Sequence, residues 1–449
     1  MLPVTVSTGR HPHASPPRSL TSFAFAAFLL TVVPAQPPMF ADVEPTLIEA
    51  LRRQNEALKQ QLDFQQKQIE ALQSQMQALA DGASGETLSR EHAPEAREPN
   101  GRKVVLSGYA SAGWYAGQTR GRFPNDEFRV DEARLSIEAQ LLRNAYVYGE
   151  LILAQREALD ESFKLGEFYG EIENVLGSAL PDRAVNLRVG RTWIPFGQEY
   201  QLRNPMDNPL ISHSVTDFWG IDEGVMLLGE AGDFSYAAAI QNGGISRLRD
   251  GHSDKSLAAR VSWAPVKGLS ASASAFTTGK LDAAGDFLSE MWIGNNVFRS
   301  IGNPSTTRTF EADLFQLDLS YSWNGGHAGA AVGTGRYRDD DTAADNSRDL
   351  NFFQFEMVQT LWKGLYLAGR YSFLEADGGY ALAGMGDFED WFLGSAFTRR
   401  IDRLGLGAGY VFSPAMKVKL EYTFENAKTQ GGGNREDEDQ LAAEIALRF

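Results

Sequence analysis

Residues that could act as nucleophiles or metal ligands are sparse in this sequence of 449 residues. It has no cysteine and 6 histidines, which excludes thiolate zinc sites, iron–sulfur clusters and a cysteine nucleophile. His213, Ser214 and Asp217 share one segment and could in principle form a hydrolase catalytic triad. The sequence lacks the strand-to-helix turn that presents the nucleophilic serine in such enzymes. The other histidines are scattered. We therefore predict no metal site, no cofactor and no enzymatic activity.

Charged residues that alternate with apolar ones are more informative. Between Met416 and Phe424, apolar residues alternate with Lys417, Lys419 and Glu421, which places these charges on one face of a strand. If such a strand lined a channel, its basic residues could replace the hydration shell of a passing anion. The alternative is that each basic residue is paired with a neighbouring carboxylate on the same inner face. The candidate pore residues on strands are Arg134, Arg188, Arg191, Arg260, Arg370, Lys417 and Lys419.

A period of two dominates the chain from residue 103 to its end. In the segment Leu257–Trp263, for example, apolar residues alternate with Ala258, Arg260 and Ser262. Such runs are about ten residues long, the length that a tilted strand needs to cross a bilayer. A soluble β-sandwich is the alternative, but so many strands with polar second faces would leave it too little core. We predict an all-β fold, a transmembrane antiparallel β-barrel.

The connections between these runs alternate between short and long, as in outer-membrane barrels. We count 16 strands, seven short connections and eight long loops; residues 390–400 leave 18 strands as the alternative. The short turns lie at Leu142–Asn144, Glu230–Gly232, Ala264–Gly268, Asn324–Gly326, Trp362–Gly364 and Ser413–Ala415, and the long segments include 194–222, 279–309, 376–401 and 427–439.

Residues 1–35 are predicted to be a secretory signal peptide. Arg10 and Arg18 precede the uncharged segment from Phe23 to Val33, which as a helix of about 16 Å falls short of a bilayer core of about 30 Å. Cleavage after Ala35 fits the small-residue rule, with a later site at residue 41 as the alternative. A buried core helix is the competing interpretation of this segment.

Residues 36–80 are predicted to form a coiled coil, followed by a flexible linker at 81–101 and the barrel at 102–449. An unbroken heptad register runs over seam positions 48–79, with no Gly or Pro from residue 46 to residue 80. Self-association in the periplasm is therefore expected, with the number of helices not fixed by the mixed Ile, Asn, Leu and Met residues at position a; a single helix docked on its own barrel would also fit. The seam residues are Ile48, Leu51, Asn55, Leu58, Leu62, Gln65, Ile69, Leu72, Met76 and Leu79.

Several segments resemble one porin family. The segments that resemble the phosphate-selective porin O and P family are Arg188–Gly197, Asn208–Trp219, Gly224–Gly229 and, less closely, Phe128–Leu141 and Phe412–Lys417. The alternating C-terminus that ends in Phe449 resembles the signal that the barrel assembly machinery recognises. The family resemblance implies a trimeric, water-filled channel that often prefers anions. The mixed charge signs in the lumen phase depart from an anion filter.

The loop after the fifth strand, Ile194–Ile221, is predicted to fold into the lumen and form the constriction. It is too long for a hairpin and contains three prolines with Arg203, Asp207 and Asp217. Arg188 and Arg191 would then face the constriction from the preceding strand. The alternatives are that Arg188 and Arg203 pair with loop carboxylates such as Asp207, or that 279–309 forms the constriction.

Charge and pattern together favour a channel. The net charge of −16 argues against nucleic-acid binding, and an outer-membrane porin for passive diffusion of small hydrophilic solutes and ions is expected, with anions such as phosphate as candidates. The alternative function is a structural protein that tethers the envelope through its coiled coil. The acidic runs 339–341 and 436–439 are either solvated or bind cations that bridge lipopolysaccharide of a Gram-negative-type outer membrane.

Overall fold

The computed structural model describes residues 104–121, 123–155, 163–218, 220–243, 253–282, 308–341, 347–380 and 398–449. The predicted signal peptide, coiled coil and linker lie outside these residues. The described helices are two short 3-10 helices, Gly177–Ala179 and Glu199–Leu202. Within the described ranges, no helix is long and apolar enough to cross a membrane.

Strands of one antiparallel sheet account for most of the described residues. Two of them, β10 and β17, are two residues long and pair with the ends of β11 and β16. The strands are β1 (Val104–Gly117), β2 (Glu127–Leu142), β3 (Ala145–Ala154), β4 (Lys164–Ile172), β5 (Asn186–Trp193), β6 (Ile221–Ala231), β7 (Phe234–Gln241), β8 (Ser256–Val266), β9 (Leu269–Thr277), β10 (Leu281–Asp282), β11 (Thr309–Trp323), β12 (Gly326–Asp339), β13 (Arg348–Trp362), β14 (Leu365–Tyr380), β15 (Thr398–Ser413), β16 (Met416–Thr429), β17 (Asn434–Arg435) and β18 (Gln440–Arg448).

The first and last strands close the sheet into a barrel. β1 pairs with β18 from Tyr109 opposite Arg448 to Gly117 opposite Gln440, and each other long strand pairs with the long strands before and after it. Because β10 and β17 only extend existing pairs, the wall described here is a closed antiparallel barrel of 16 strands. This confirms the predicted fold class, with 16 rather than 18 strands in the wall.

Tight turns join the strands at one end of the barrel. Each of the six predicted short turns includes the junction of two paired strands, as at Asn324–Gly325 between β11 and β12, although β6 and β8 extend into the segments predicted as turns, to Ala231 and Val266. Gly325 and Gly364 have φ angles of 82° and 90°, a region that favours glycine because other residues clash there. The seventh connection, 173–185, is longer and contains a 3-10 helix. The long connections lie at the opposite end, as predicted.

Side chains alternate between a polar interior and an apolar exterior. On β11, Leu317 and Leu319 point outward and are 45% and 55% exposed, whereas Gln316 and Asp318 point inward and are buried. A closed barrel satisfies its backbone hydrogen bonds within the sheet, and an apolar outer face is stable in contact with lipid. The described wall therefore has the polarity of a membrane-spanning barrel.

This architecture predicts heat-modifiable behaviour. Unboiled protein should migrate on a denaturing gel as a compact or oligomeric species, and boiled protein at the mass of the unfolded chain, because a closed sheet has no free edge from which detergent can unfold it. Far-ultraviolet circular dichroism of the unboiled sample should show mainly β-structure. A mainly helical spectrum, or identical migration before and after boiling, would contradict the barrel.

Candidate pore constriction

The loop between β5 and β6 crosses the interior of the barrel. We call residues 194–220 the inner loop; Trp219 lies outside the described residues. The N–H of Gly197 donates to Ser274 Oγ on β9 at 3.0 Å, and the N–H of Val215 donates to Ser372 Oγ on β14 at 3.1 Å. Hydrogen bonds from a loop on β5 to inward side chains of distant strands show that the loop lies within the lumen.

Arg370 on β14 holds the middle of the inner loop. Its side chain is 5% exposed, and its Nη1 and Nη2 donate to the Ser212 carbonyl at 2.8 Å and to Asn208 Oδ1 at 2.9 Å. Its Nε donates to Glu356 Oε2 on β13 at 2.8 Å, and the other oxygen of Glu356 lies 3.0 Å from His327 Nε2. Glu356 therefore orients the guanidinium that fixes the loop.

Glu421 and Lys419 on β16 hold the same stretch of loop. Glu421 Oε2 accepts the N–H groups of Ile211 at 2.5 Å and Ser212 at 2.7 Å. Lys419 Nζ donates to the Leu210 carbonyl at 2.9 Å and forms an ion pair with Glu444 at 2.7 Å. Opposite charges on one strand thus satisfy both the N–H and the C=O groups of the loop backbone, which is how irregular backbone is kept inside a barrel.

An apolar cluster completes the attachment on the side of the long loops. Phe218 packs edge-on against Phe352 of β13 with ring centroids 4.8 Å apart, and Phe196 packs against Phe276 of β9 at 6.5 Å. These side chains are at most 3% exposed. Aromatic pairs with this geometry stabilise beyond the area that they bury. Apolar packing and charged anchors therefore act on the same loop.

Buried charges inside the inner loop pair with one another. Arg203 forms an ion pair with Asp217, whose Oδ2 also lies 2.8 Å from His213 Nδ1. The Ser214 hydroxyl donates to Glu199 rather than to His213, so the Ser–His contact of a hydrolase is not formed. Among the described residues, no three His, Asp or Glu side chains are grouped to hold a metal ion.

One face of the inner loop stays open to the lumen. Leu202 is 38% exposed, and the Tyr200 ring centroid lies 6.2 Å from that of Trp193 at the end of β5.

Asp207 of the inner loop forms an ion pair with Arg448 of β18 at 2.7 Å. Burial opposes ionisation of Asp207, but hydrogen bonds from Arg448 and Asn204 outweigh it and hold its pKa below the usual value.

The inward basic residues predicted on strands are mostly paired with carboxylates. Arg134 of β2 contacts Glu150 at 2.9 Å, and Arg188 of β5 contacts Glu171 at 2.8 Å. Arg260 of β8 is buried beside Ser272 Oγ at 3.5 Å, and this hydroxyl donates to Asp318. The alternative of paired lumen charges is thus found for Arg134 and Arg188.

Two sequence-based placements need correction. Arg191 lies opposite Phe168 and Glu223 in the strand register, and Phe168 is 52% exposed on the outer face. Because side chains alternate along a strand, Arg191 faces outward and forms an ion pair with Glu223 at 2.8 Å. Neither Arg188 nor Arg203 pairs with Asp207, since their partners are Glu171 and Asp217.

Sequence reasoning missed several residues that hold the loop. Glu356 and Arg403 belong to no motif, although Arg403 donates to the His213 carbonyl at 2.8 Å and forms a buried ion pair with Glu425. Their inward phase in alternating strands was the only signal available.

Phe449, the predicted assembly signal, extends the pairing of β18 with β1. Phe449 and Gly108 exchange two backbone hydrogen bonds of 3.0 and 3.1 Å.

Comparison with known proteins supports the fold. No protein-family model and no curated sequence matches the chain. The barrel is similar to an anion-selective porin from Comamonas acidovorans (TM-score 0.51, 11% identity, 78% of this chain and 100% of that one) and to OmpT, an outer membrane protein of Vibrio cholerae (0.51, 10%, 78% and 99%). It is also similar to the outer membrane channel DcaP of Acinetobacter baumannii (0.50, 12%, 78% and 98%). The described part of the chain therefore has the fold of outer-membrane porins.

Proposed function

We propose that this protein is an outer-membrane porin, a passive diffusion channel for small hydrophilic solutes and ions, and not an enzyme. The observation that carries the proposal is an inner loop fixed across a polar lumen by Arg370, Lys419 and Glu421. A loop attached in this way narrows the passage, and the side chains of Leu202 and Asp207 on it stay partly exposed. The test is single-channel recording of the purified protein in a planar bilayer, where stepwise ohmic currents are expected.

We also propose a modest preference for anions, with phosphate as one candidate. Lys417, Lys419 and Arg448 lie on neighbouring strands beside the inner loop, where the carboxylates paired with them are Asp207 and Glu444. With Glu421, whose Oε2 accepts loop N–H groups, the three cations face three carboxylates, but among the described residues Lys417 forms no ion pair and donates to the Met206 carbonyl instead. A charge within a narrow opening biases ion entry more than a charge on an exposed loop. The paired charges elsewhere in the lumen argue against a highly selective filter.

Neutralising Lys417 and Arg448 together should move the reversal potential in a salt gradient toward cation preference. Lys417 Nζ lies 2.5 Å from the Met206 carbonyl of the inner loop, so its charge lies at the constriction. The matched control is Lys363→Gln, which removes a lysine from a short turn outside the lumen. A reversal potential unchanged in the double variant, or shifted equally by the control, would place the selectivity elsewhere.

For the segments outside the described residues, we propose a signal peptide at 1–35, a coiled coil at 36–80 that joins three copies in the periplasm, and a linker at 81–101. The five-heptad seam supports self-association, and the number of three copies is what the porin resemblance implies. Barrel assembly machinery, outer-membrane lipids and lipopolysaccharide are the other expected partners. A structural tether without a channel would give no current in the bilayer experiment.

A further inference from the structure

A titratable side chain is joined to the network that holds the inner loop. His327 is the second residue of β12, beside the short turn Asn324–Gly325. It faces the lumen, because Val332, five residues further along the strand, is 52% exposed on the outer face. Its side chain is 34% exposed, and its Nε2 lies 3.0 Å from Glu356 Oε1. His327 is therefore in contact with both the water of the lumen and a buried carboxylate.

Glu356 is shared between His327 and Arg370. Its second oxygen accepts from Arg370 Nε at 2.8 Å, and the Arg370 side chain is buried. As long as the imidazole is neutral, the charges of Glu356 and Arg370 balance one another. Imidazoles gain or lose their charge between about pH 5 and pH 8, and a protonated imidazole still donates to a carboxylate. Protonation of His327 thus makes the trio positive without breaking its contact with Glu356.

The other carboxylates around this trio already serve donors of their own. On the inner loop, Glu199 lies 3.9 Å from Arg370 Nη1 and accepts hydrogen bonds from a loop serine. On β16, both oxygens of Glu421 accept donors of the inner loop. On β11, Asp318 faces the lumen and accepts from a serine of β9 and from a glutamine. Among the described residues, Glu356 is the one carboxylate that contacts His327.

We propose that His327 makes the ion selectivity of the channel depend on pH. At mildly acidic pH its protonation adds a positive charge near the short-turn end of the lumen and shifts the selectivity toward anions, while Glu356 keeps Arg370 and the inner loop in place. A charge inside a narrow, low-dielectric passage acts on passing ions far more than a charge on an exposed loop does. This role of His327 rests on the proposed channel function and adds to it the residue that responds to pH.

The test is the reversal potential of the full-length protein in a potassium chloride gradient across a planar bilayer. It is measured at about pH 7.5 and at about pH 5.5, on either side of the range in which an imidazole titrates. The permeability ratio of chloride to potassium in the unsubstituted protein should rise about two-fold on acidification, because one charge is added inside the lumen. The single-channel conductance and the noise of the open-channel current are recorded on the same traces.

Two variants and a control separate the charge of His327 from other titrating groups. His327→Gln keeps a donor for Glu356 but does not titrate, so it should lose most of the rise. His327→Lys carries its charge at both pH values, so its permeability ratio should already be raised at the higher pH and change little on acidification. The matched control is His252→Gln, which removes a histidine that the sequence places between β7 and β8; it should keep the full rise.

His327 has no such role if the Gln variant keeps the full rise, if the Lys variant matches the unsubstituted protein at the higher pH, or if the control loses the rise as well. A His327-dependent increase in conductance and noise on acidification would also overturn it, because the residue would then release Arg370 and the loop. Absence of current at both pH values refutes the channel itself, whereas current with a selectivity that does not change with pH refutes only the role of His327. Heat-modifiable migration of each variant shows beforehand that its barrel is folded.

Discussion

Replacing Arg370 by glutamine should raise the single-channel conductance and increase the noise of the open-channel current. Arg370 bridges Glu356 on the wall to Asn208 and Ser212 in the inner loop, all within 2.9 Å. Glutamine is too short and has too few donors to make these bonds together. Removing one partner of a buried ion pair costs about 3–5 kcal/mol. Part of this loss should appear as movement of the loop away from the wall.

The matched control is Arg435→Gln. Arg435 also forms an ion pair, with Glu438 at 2.8 Å, but at the long-loop end of the wall. It should leave the conductance within error. A second variant, Glu421→Gln, removes the carboxylate that accepts the Ile211 and Ser212 N–H groups and should change the current in the same direction as Arg370→Gln. If both variants conduct like the unsubstituted protein, the inner loop does not set the narrowest point.

Replacing Leu58 and Leu72 by aspartate should dissociate the oligomer while leaving the barrel folded. Both residues occupy seam positions of the predicted coiled coil. Burying an unpaired charge costs several kcal/mol unless it is neutralised or the helices separate. Because three copies would each contribute two charges, the effect is multiplied within a trimer. Mass measurement in detergent should show a shift toward monomer, with unchanged heat-modifiable migration of each barrel.

The control places the same charges outside the seam. Gln60 and Ser74 lie at outward heptad positions of the same register, so Gln60→Asp with Ser74→Asp should leave the assembly intact. Deletion of 47–80 should reproduce the effect of the seam variant. An oligomer that survives both the seam variant and the deletion would show that the barrel walls hold the subunits together without the helix.

The barrel could be predicted from the sequence because its main signals are local. A strand in a bilayer needs an apolar face of defined length, so Leu317 and Leu319 alternate visibly with polar neighbours. The short turns were equally clear, since Gly325 and Gly364 mark chain reversals that require a positive φ. The length and prolines of the inner loop predicted that it folds into the lumen, but not which strands it contacts there.

The partners of the lumen charges were decided by the tertiary structure alone. Arg370 and Ser212 are 158 residues apart, and no local pattern states which distant strand faces the loop. Alternation places Arg188 inward and Arg191, three residues later, on the opposite face, but only the tertiary structure shows that Arg188 forms an ion pair with Glu171. Periodicity depends on the nearest neighbours of a residue, whereas charge pairing depends on how the whole sheet curves and closes. For that reason the sequence determined the wall of this protein, and the tertiary structure determined which of its lumen charges are paired and with which residues.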